Sequence, residues 1–185
     1  MVFPSLEEFK FISEQDWTYL DTDSLTSLLN RSGSSLKQLT LDTVVLEDLK
    51  KLFEAVPCLQ NLEWCPCSDS TSAIYVMDDL LRHLSSSPIL TDIPGFLPHL
   101  RYLTLTSQSP GTFTWEYIPR IFSWPHRKSL HLELTTMDKI EIDNDDLAKI
   151  LQLIDQGVNI RIFEDSDDYL EQIKKGPETT RSRKG

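Results

Sequence analysis

The sequence predicts an α/β solenoid of about six strand–helix repeats, with a parallel sheet on its concave face. Three observations support this prediction. Short segments in which apolar and polar residues alternate recur along the chain, and such alternation is typical of strands with one buried face. Between these segments, apolar residues recur at helical spacing. The alternating segments also resemble one another, which indicates an internal repeat.

A short motif, L-x-x-[LF]-x-[LFW], marks the predicted strands. Four copies carry it in full: FPSLEEFKF at residues 3–11, GSSLKQLTL at 33–41, VPCLQNLEW at 56–64 and LPHLRYLTL at 97–105. Two shorter copies, RKSLHLEL at 127–134 and GVNIRIF at 157–163, lack the first leucine but keep an alternating pair, Leu130/Leu132 and Ile160/Ile162. The aligned copies begin at residues 6, 36, 59, 100, 127 and 157. This spacing indicates irregular leucine-rich repeats, whose units usually take about 20–29 residues.

Five helices are predicted between the strands, and a sixth after the last. Their apolar sets are Leu25, Leu28 and Leu29; Leu46, Leu49, Leu52, Phe53 and Val56; Ile74, Met77, Leu80, Leu81 and Leu84; Tyr117, Ile118, Ile121 and Phe122; Leu147, Ile150, Leu151 and Ile154; and Tyr169, Leu170 and Ile173. The fourth set is weakened by Pro119. We expect the fifth helix to begin at Asn144 as its N-cap and to end at Gly157.

A doubly wound sheet would also alternate strands with helices. Two features favour the repeat fold over it. No glycine-rich phosphate loop follows any predicted strand. The strands alternate apolar and polar residues, whereas a sheet covered on both faces would carry nearly continuous apolar runs.

The composition indicates one globular domain. Of the 185 residues, 39% are hydrophobic, which is enough for one ordinary core. The net charge of −11 disfavours nucleic acid and anionic membranes as partners, because an acidic surface repels phosphate. Three cysteines is an odd number for a secreted disulfide framework, so we expect a cytoplasmic or nuclear location. The repeat domain is expected at residues 1–176, followed by a disordered basic tail at 177–185.

Three segments carry a family resemblance: LTSLLNRSGSSLKQLTL at residues 25–41, VPCLQNLEW at 56–64 and FLPHLRYLTL at 96–105. They resemble the leucine-rich-repeat portion of F-box proteins from mushroom-forming fungi, where a helix ending in a Ser-Gly turn leads into an L-x-x-L-x-L strand. The resemblance covers roughly residues 3–165. It implies a substrate receptor of a Skp–cullin–F-box ubiquitin ligase. We recognise no F-box in these residues, so ligase subunits are expected partners only if an F-box lies upstream.

The polar positions of the strands are expected to line the concave face and to bind a protein target. Tyr102, Arg161 and Phe163 are the expected anchors, because aromatic residues and arginine often dominate interfaces. Further positions placed on this face include Glu8, Ile12, Asp42, Cys65, Thr106, Ser129 and Asn159. The residues predicted to bind protein are Lys10, Gln38, Thr40, Asn61, Glu63, Tyr102, Thr104, His131, Glu133, Arg161 and Phe163.

The sequence predicts no enzyme, no cofactor and no metal site. Cys58, Cys65 and Cys67 offer no fourth zinc ligand, and C-x-C differs from the redox motif C-x-x-C, so we interpret them as scaffold. The four histidines are scattered, and no G-x-S-x-G motif is present. The predicted function is therefore protein binding. The alternatives are a free-standing repeat scaffold without a ligase link and a doubly wound enzyme.

Residues 138–171 are strongly acidic, with eleven Asp and Glu against three Lys and Arg. They lack the glycine and terminal glutamate of a calcium-binding loop. Asp145 and Asp146 are instead expected in the first turn of a helix, where the helix dipole favours negative charge. Asp165, Asp167 and Asp168 are expected to do the same for the last helix. The tryptophans Trp17, Trp64, Trp115 and Trp124 are expected in packing roles, with Trp64 buried.

Overall fold

The structure is a computed structural model that describes residues 6–12, 18–19, 21–31, 35–42, 44–45, 49–66, 71–86, 96–107, 113–137 and 139–175. The elements in chain order are β1 (Glu8–Ile12), β2 (Thr18–Tyr19), α1 (Thr22–Arg31), β3 (Gln38–Asp42), β4 (Val44–Val45), α2 (Leu49–Glu54), β5 (Asn61–Cys65), α3 (Thr71–Ser85), β6 (Tyr102–Ser107), α4 (Tyr117–Ile121), a 3-10 turn (Pro125–Arg127), β7 (His131–Thr136), α5 (Asn144–Asp155), β8 (Asn159–Glu164), β9 (Asp167–Asp168) and α6 (Tyr169–Lys175). The predicted tail at 177–185, Trp17 and Cys67 lie outside the described residues.

A seven-stranded open sheet organises the molecule, in the order β1-β3-β5-β6-β7-β8-β9. All neighbours are parallel except β9, which pairs antiparallel with β8. The predicted α/β class with a largely parallel sheet is thereby confirmed. Strand order follows chain order, without the reversal that marks the switch point of a doubly wound sheet. Strands β2 and β4, which the sequence analysis missed, form a separate parallel pair.

Two apolar ladders run across the sheet on one face. The first joins Phe9, Leu39, Leu62, Leu103, Leu132 and Ile160, and the second joins Phe11, Leu41, Trp64, Leu105, Leu134 and Ile162. From β3 onward every member is buried, including Trp64 as predicted. The predicted pair Leu130/Leu132 is wrong by two residues, because Leu132 and Leu134 occupy the ladders. Tyr102 pairs with His131, so Leu130 aligns with Arg101.

The helices cover the apolar face of the sheet. Residues of α1 to α6 join the strand ladders in one buried cluster, represented by Leu29, Leu52, Leu80, Ile118 and Ile150. All six predicted helices are present, although α2 and α4 are short. Residues on the other face of the strands are half-buried or exposed, apart from the buried Thr40. The sheet therefore has one face under helices and one polar face.

Helix α5 ends at the predicted glycine. Gly157 has φ +89°, a backbone conformation that L side chains rarely adopt. Its N–H donates to Ile154 O at 2.9 Å, and Val158 N–H donates to Leu153 O at 3.0 Å. This pair of bonds is a Schellman motif, which satisfies the last carbonyls of the helix.

The N-cap of α5 is Asp143, and the prediction of Asn144 is wrong by one residue. The Asp143 carboxylate accepts from the N–H groups of Asp145 and Asp146, both at 2.9 Å. These bonds lower the pKa of Asp143. Asp145 and Asp146 lie in the first turn, as predicted.

The three acidic residues before α6 have different positions. Only Asp168 caps the helix, by accepting from Glu171 N–H at 3.0 Å. Asp167 belongs to β9 with Asp168, and Asp165 lies in the preceding turn with φ +55°. The prediction that all three occupy the start of the last helix is therefore correct for one of them.

A buried arginine fixes the segment that leads into β6. Arg127 is only 2% exposed, and its guanidinium donates to Leu97 O at 2.8 Å and to Phe96 O. Leu97 has φ +46°, in the left-handed region. Burial lowers the pKa of Arg127 to about 10, which leaves it charged at neutral pH. Arg127 makes no ion pair with any described residue, so the two carbonyls supply the polar environment of its charge.

The two ends of the sheet differ. At the C-terminal end, β9 pairs with β8 and α6 packs against both, with Leu170 4% exposed. At the N-terminal end, β1 pairs with β3 only among the described residues. Phe9 and Phe11 of β1 are only partly buried. One end of the apolar layer is therefore closed, and the other is incompletely covered.

Candidate binding face

The polar face of the sheet is the candidate site, and we call it the open face. The first row across it is Glu8, Gln38, Asn61, Tyr102, His131 and Asn159, and the second is Lys10, Thr40, Glu63, Thr104, Glu133 and Arg161. The third row begins with Ile12, Asp42 and Cys65 and continues with Thr106, Thr135 and Phe163. All eleven residues predicted to bind protein lie in these rows. Because the strands are in register, side chains far apart in sequence become neighbours.

Strand β7 carries the one error in the predicted rows. Ser129 precedes the strand, and the rows contain His131, Glu133 and Thr135 instead of Ser129, His131 and Glu133. The observed register of β7 therefore places each row two residues later along the strand than predicted. Thr135 was consequently missed, although the alternation through 131–136 would have identified it once the register was known.

A side-chain hydrogen bond joins strands β3 and β5 on the open face. Thr40 is only 5% exposed, between Lys10 and Glu63 in the second row. Its hydroxyl donates to Glu63 Oε2 at 3.3 Å. Thr40 thus contributes little surface for a partner. It orients Glu63, which is exposed.

The open face carries a small net negative charge. Its fixed charges are the carboxylates of Glu8, Asp42, Glu63 and Glu133 against Lys10 and Arg161, a net charge of −2 with His131 neutral. The His131 Nε2 atom lies 3.9 Å from Glu133 Oε2. Both signs are present on the face, so a partner of mixed charge can find complementary groups along the rows.

An aromatic site lies on the open face at the N-terminal ends of three strands. Tyr102 is 54% exposed, and its ring centroid lies 5.8 Å from that of His131 with an interplanar angle of 34°. A cleft of about 450 Å³ beside them is lined by Arg101, Tyr102, Ser129, His131 and Asn159. Each lining residue offers a hydrogen-bond donor or acceptor around the aromatic pair. Arg101 was not predicted, because it precedes the strand and lies outside the alternating pattern.

The other two predicted anchors lie on β8. Arg161 is exposed in the second row, and Phe163 is half-buried in the third. Phe163 pairs with Asp168 of β9 on one side and with Thr135 on the other. The anchors Tyr102, Arg161 and Phe163 therefore occupy three different rows of one continuous face.

No known relative identifies this face. Comparisons with protein-family models, with curated proteins and with solved structures found no match to this chain. Among the described residues, no helix is both long and apolar enough to cross a membrane. The function of this protein is therefore inferred from the geometry of the open face.

A second cleft, of about 800 Å³, lies on the helical side between α4 and α5. Its charged lining is Glu116, Arg120, Asp143, Asp145, Asp146 and Lys149. Arg120 pairs with Glu116 at 3.2 Å, and Lys149 pairs with Asp146 at 2.8 Å. Asp143 is the helix cap. These carboxylates thus stabilise the helices themselves, as the sequence analysis predicted for Asp145 and Asp146.

The cysteines and histidines are dispersed. Cys58 is exposed before β5, and Cys65 is half-buried at the end of that strand. Within the described ranges, no group of three or more His, Cys, Asp and Glu residues is arranged to hold a metal ion. His83 contacts Asp79 at 3.3 Å and stacks on Phe96, far along the chain from His131.

Proposed function

We propose that this protein is a protein-binding module and that its open face is the binding surface. The observation that carries the proposal is the set of three rows, which present mixed polar, charged and aromatic side chains across six strands in register. Extended repeat sheets use such faces to bind other proteins. Tyr102 is a large hydrophobic side chain left exposed at the middle of the first row, as interface anchors often are.

We further propose that the repeats are leucine-rich repeats and that the open face is concave. The buried leucines support this proposal: Leu36, Leu59 and Leu100 occupy the first motif position and are each at most 3% exposed. The sequential strand order also fits a solenoid, in which each repeat packs on the next. An experimental structure in which the sheet is flat, or curves the other way, would refute the curvature.

The most specific form of the proposal is the substrate-recognition region of an F-box ubiquitin-ligase receptor. It rests on the resemblance of residues 25–41, 56–64 and 96–105 to such proteins. Under this proposal the open face selects the target, and other ligase subunits transfer ubiquitin. The complete gene tests this form directly, because an upstream F-box would be required for binding to the Skp adaptor.

The test of the binding surface is a comparative capture from a lysate of the source organism. The bait is the intact chain beside a variant with Tyr102→Ala, Arg161→Glu and Phe163→Ala. A matched control carries Arg120→Glu, Lys149→Ala and Gln152→Ala on the helical side. We expect a partner that is retained by the original and the control and lost by the open-face variant.

A positive capture is then mapped with the purified partner by hydrogen exchange. Protection should appear at β6 to β8 on binding, because these strands carry the three anchors. A partner lost equally by both variants, or protection confined to α4 and α5, would refute the open face as the binding surface. Circular dichroism of both variants must first match that of the original chain.

An enzyme is the competing class, and a simple stability measurement separates it. A ligand that binds the native state raises the unfolding temperature. We expect no rise with nucleotides or divalent metal ions. A reproducible, saturable rise with any of them would contradict the proposal of a binding module.

A further inference from the structure

The outer edge of β1 carries the further inference. The amides of Lys37 and Gln38 both donate to Glu7 O, at 2.8 and 3.0 Å. The Glu7 carbonyl therefore faces β3. Because backbone groups alternate sides along a strand, Glu8, Lys10 and Ile12 direct their N–H and C=O groups away from β3. No strand of the described part of the chain pairs with that edge.

The side chains at this edge also lack the coverage found elsewhere in the sheet. Phe9 and Phe11 are partly buried, whereas their neighbours Leu39 and Leu41 are at most 1% exposed. Ile12 is 51% exposed on the opposite face. An edge with unpaired backbone and exposed apolar side chains is a template for another strand.

The sequence of β1 is self-complementary in one antiparallel register. We propose that β1 pairs with β1 of a second copy of this chain, centred on Phe9. In that register Glu8 lies opposite Lys10 of the second copy, and Lys10 lies opposite its Glu8. Phe9 meets Phe9 on the helical side of the sheet.

The backbone supports the same register. Glu8 and Lys10 both direct their N–H and C=O groups outward, so each opposed pair can exchange two hydrogen bonds. Opposite charges that face each other across strands are stabilising, and like charges are destabilising. A shift of two residues in either direction would place Lys10 against Lys10 or Glu8 against Glu8. The charge pattern therefore selects the register centred on Phe9.

The resulting dimer has two-fold symmetry, and it joins the two sheets into one. Its contacts are isologous, because the same edge serves both subunits. The Phe9 pair extends the apolar layer beyond β1, the outermost strand among the described residues at that end. This proposal does not depend on what the open face binds.

The test uses two single charge reversals and their mixture. In Glu8→Lys both cross-strand pairs become Lys–Lys, and in Lys10→Glu both become Glu–Glu. An equimolar mixture restores both opposite pairs in the heterodimer. Sedimentation equilibrium over a concentration series measures the dissociation constant of the dimer in each sample. The matched controls are Glu141→Lys and Lys128→Glu, exposed residues outside β1 that change the net charge equally.

We expect the original chain and both controls to dimerise alike. Each β1 variant should show a dissociation constant raised by about tenfold or more, and the mixture should recover the original value. An original chain that is monomeric throughout the series would overturn the proposal. So would a dimer that either β1 variant leaves unchanged. A mixture that fails to recover, with both variants folded, would overturn the register.

Discussion

At the residue scale, Arg127 is the side chain on which the segment before β6 depends. We expect Arg127→Met to lower the free energy of unfolding by about 2 kcal/mol, because Leu97 O and Phe96 O lose their buried donors. Urea unfolding measures the change. Lys128→Met removes the adjacent exposed cation and should have almost no effect. Equal losses in the two variants would contradict the role given to Arg127.

His126 makes the neighbourhood of Arg127 sensitive to pH. Desolvation of its ring lowers the pKa of His126, and the Arg127 charge lowers it further. Above the ordinary value of 6.5 the histidine is neutral in both states and has no effect. As the pH falls below that value, the unfolded chain takes up the proton first, so stability is lost. We expect the His126→Gln variant to lose less stability than the original chain on acidification. The free energy of unfolding, measured above and below pH 6.5, gives the comparison. An equal benefit from His99→Gln would contradict this assignment.

Individual residues also show where the sequence was informative. In the observed register, the first leucine position of the motif falls at Ser129, so the motif gives no signal for the burial of Arg127. Its residue type gives none either, because arginine is rarely buried without a carboxylate partner. Its partners are carbonyls of a segment about 30 residues away, which periodicity cannot reveal. By contrast, Trp64 is an apolar residue at an apolar position of the motif, so its burial was predicted.

At the element scale, Gly157 determines how α5 ends. We expect Gly157→Ala to lower the free energy of unfolding by about 1 kcal/mol, since alanine is strained at φ +89°. A Cβ at this position would have no atom within 4 Å, so the cost arises from the backbone alone. Chemical denaturation measures it. Gln152→Ala, on the exposed side of α5, should be neutral or slightly stabilising. No loss in Gly157→Ala would rule out a backbone requirement at this position.

Strands were better predicted than their connections. Alternation alone identified the six parallel strands of the large sheet, because each must bury one face and expose the other. It could not fix the register of β7, so the predicted rows began at Ser129, two residues too early, and omitted Thr135. The N-cap of α5 was predicted one residue too late. Asp143 and Asn144 are both good caps, and only the backbone geometry distinguishes them.

At the scale of the whole molecule, α6 closes one end of the core. We expect Leu170→Ala to lower the free energy of unfolding by about 3 kcal/mol, because Leu170 is buried against the last strands. Since each repeat contacts mainly its neighbours, amide exchange should accelerate most in β8 and α6. Hydrogen exchange with mass spectrometry measures both regions against β5. Uniform acceleration through β5 would contradict this nearest-neighbour behaviour.

The sheet topology was predictable because local patterns repeat, whereas the predicted function stays a prediction. Six similar units imply a stack, and the register of the open face follows from stacking them. The two ends depend on features that do not repeat, such as β9 and the outer edge of β1. Both features depend on contacts between residues that are distant in sequence. A six-residue motif contains no information about such contacts.

The sequential order of the strands has a consequence for synthesis on the ribosome. When each of the strands β3 to β8 leaves the exit tunnel, the strand beside it in the finished sheet has already emerged. The described strands can therefore join the sheet one at a time in the order of their synthesis. This strand order allows assembly to proceed in the direction of translation.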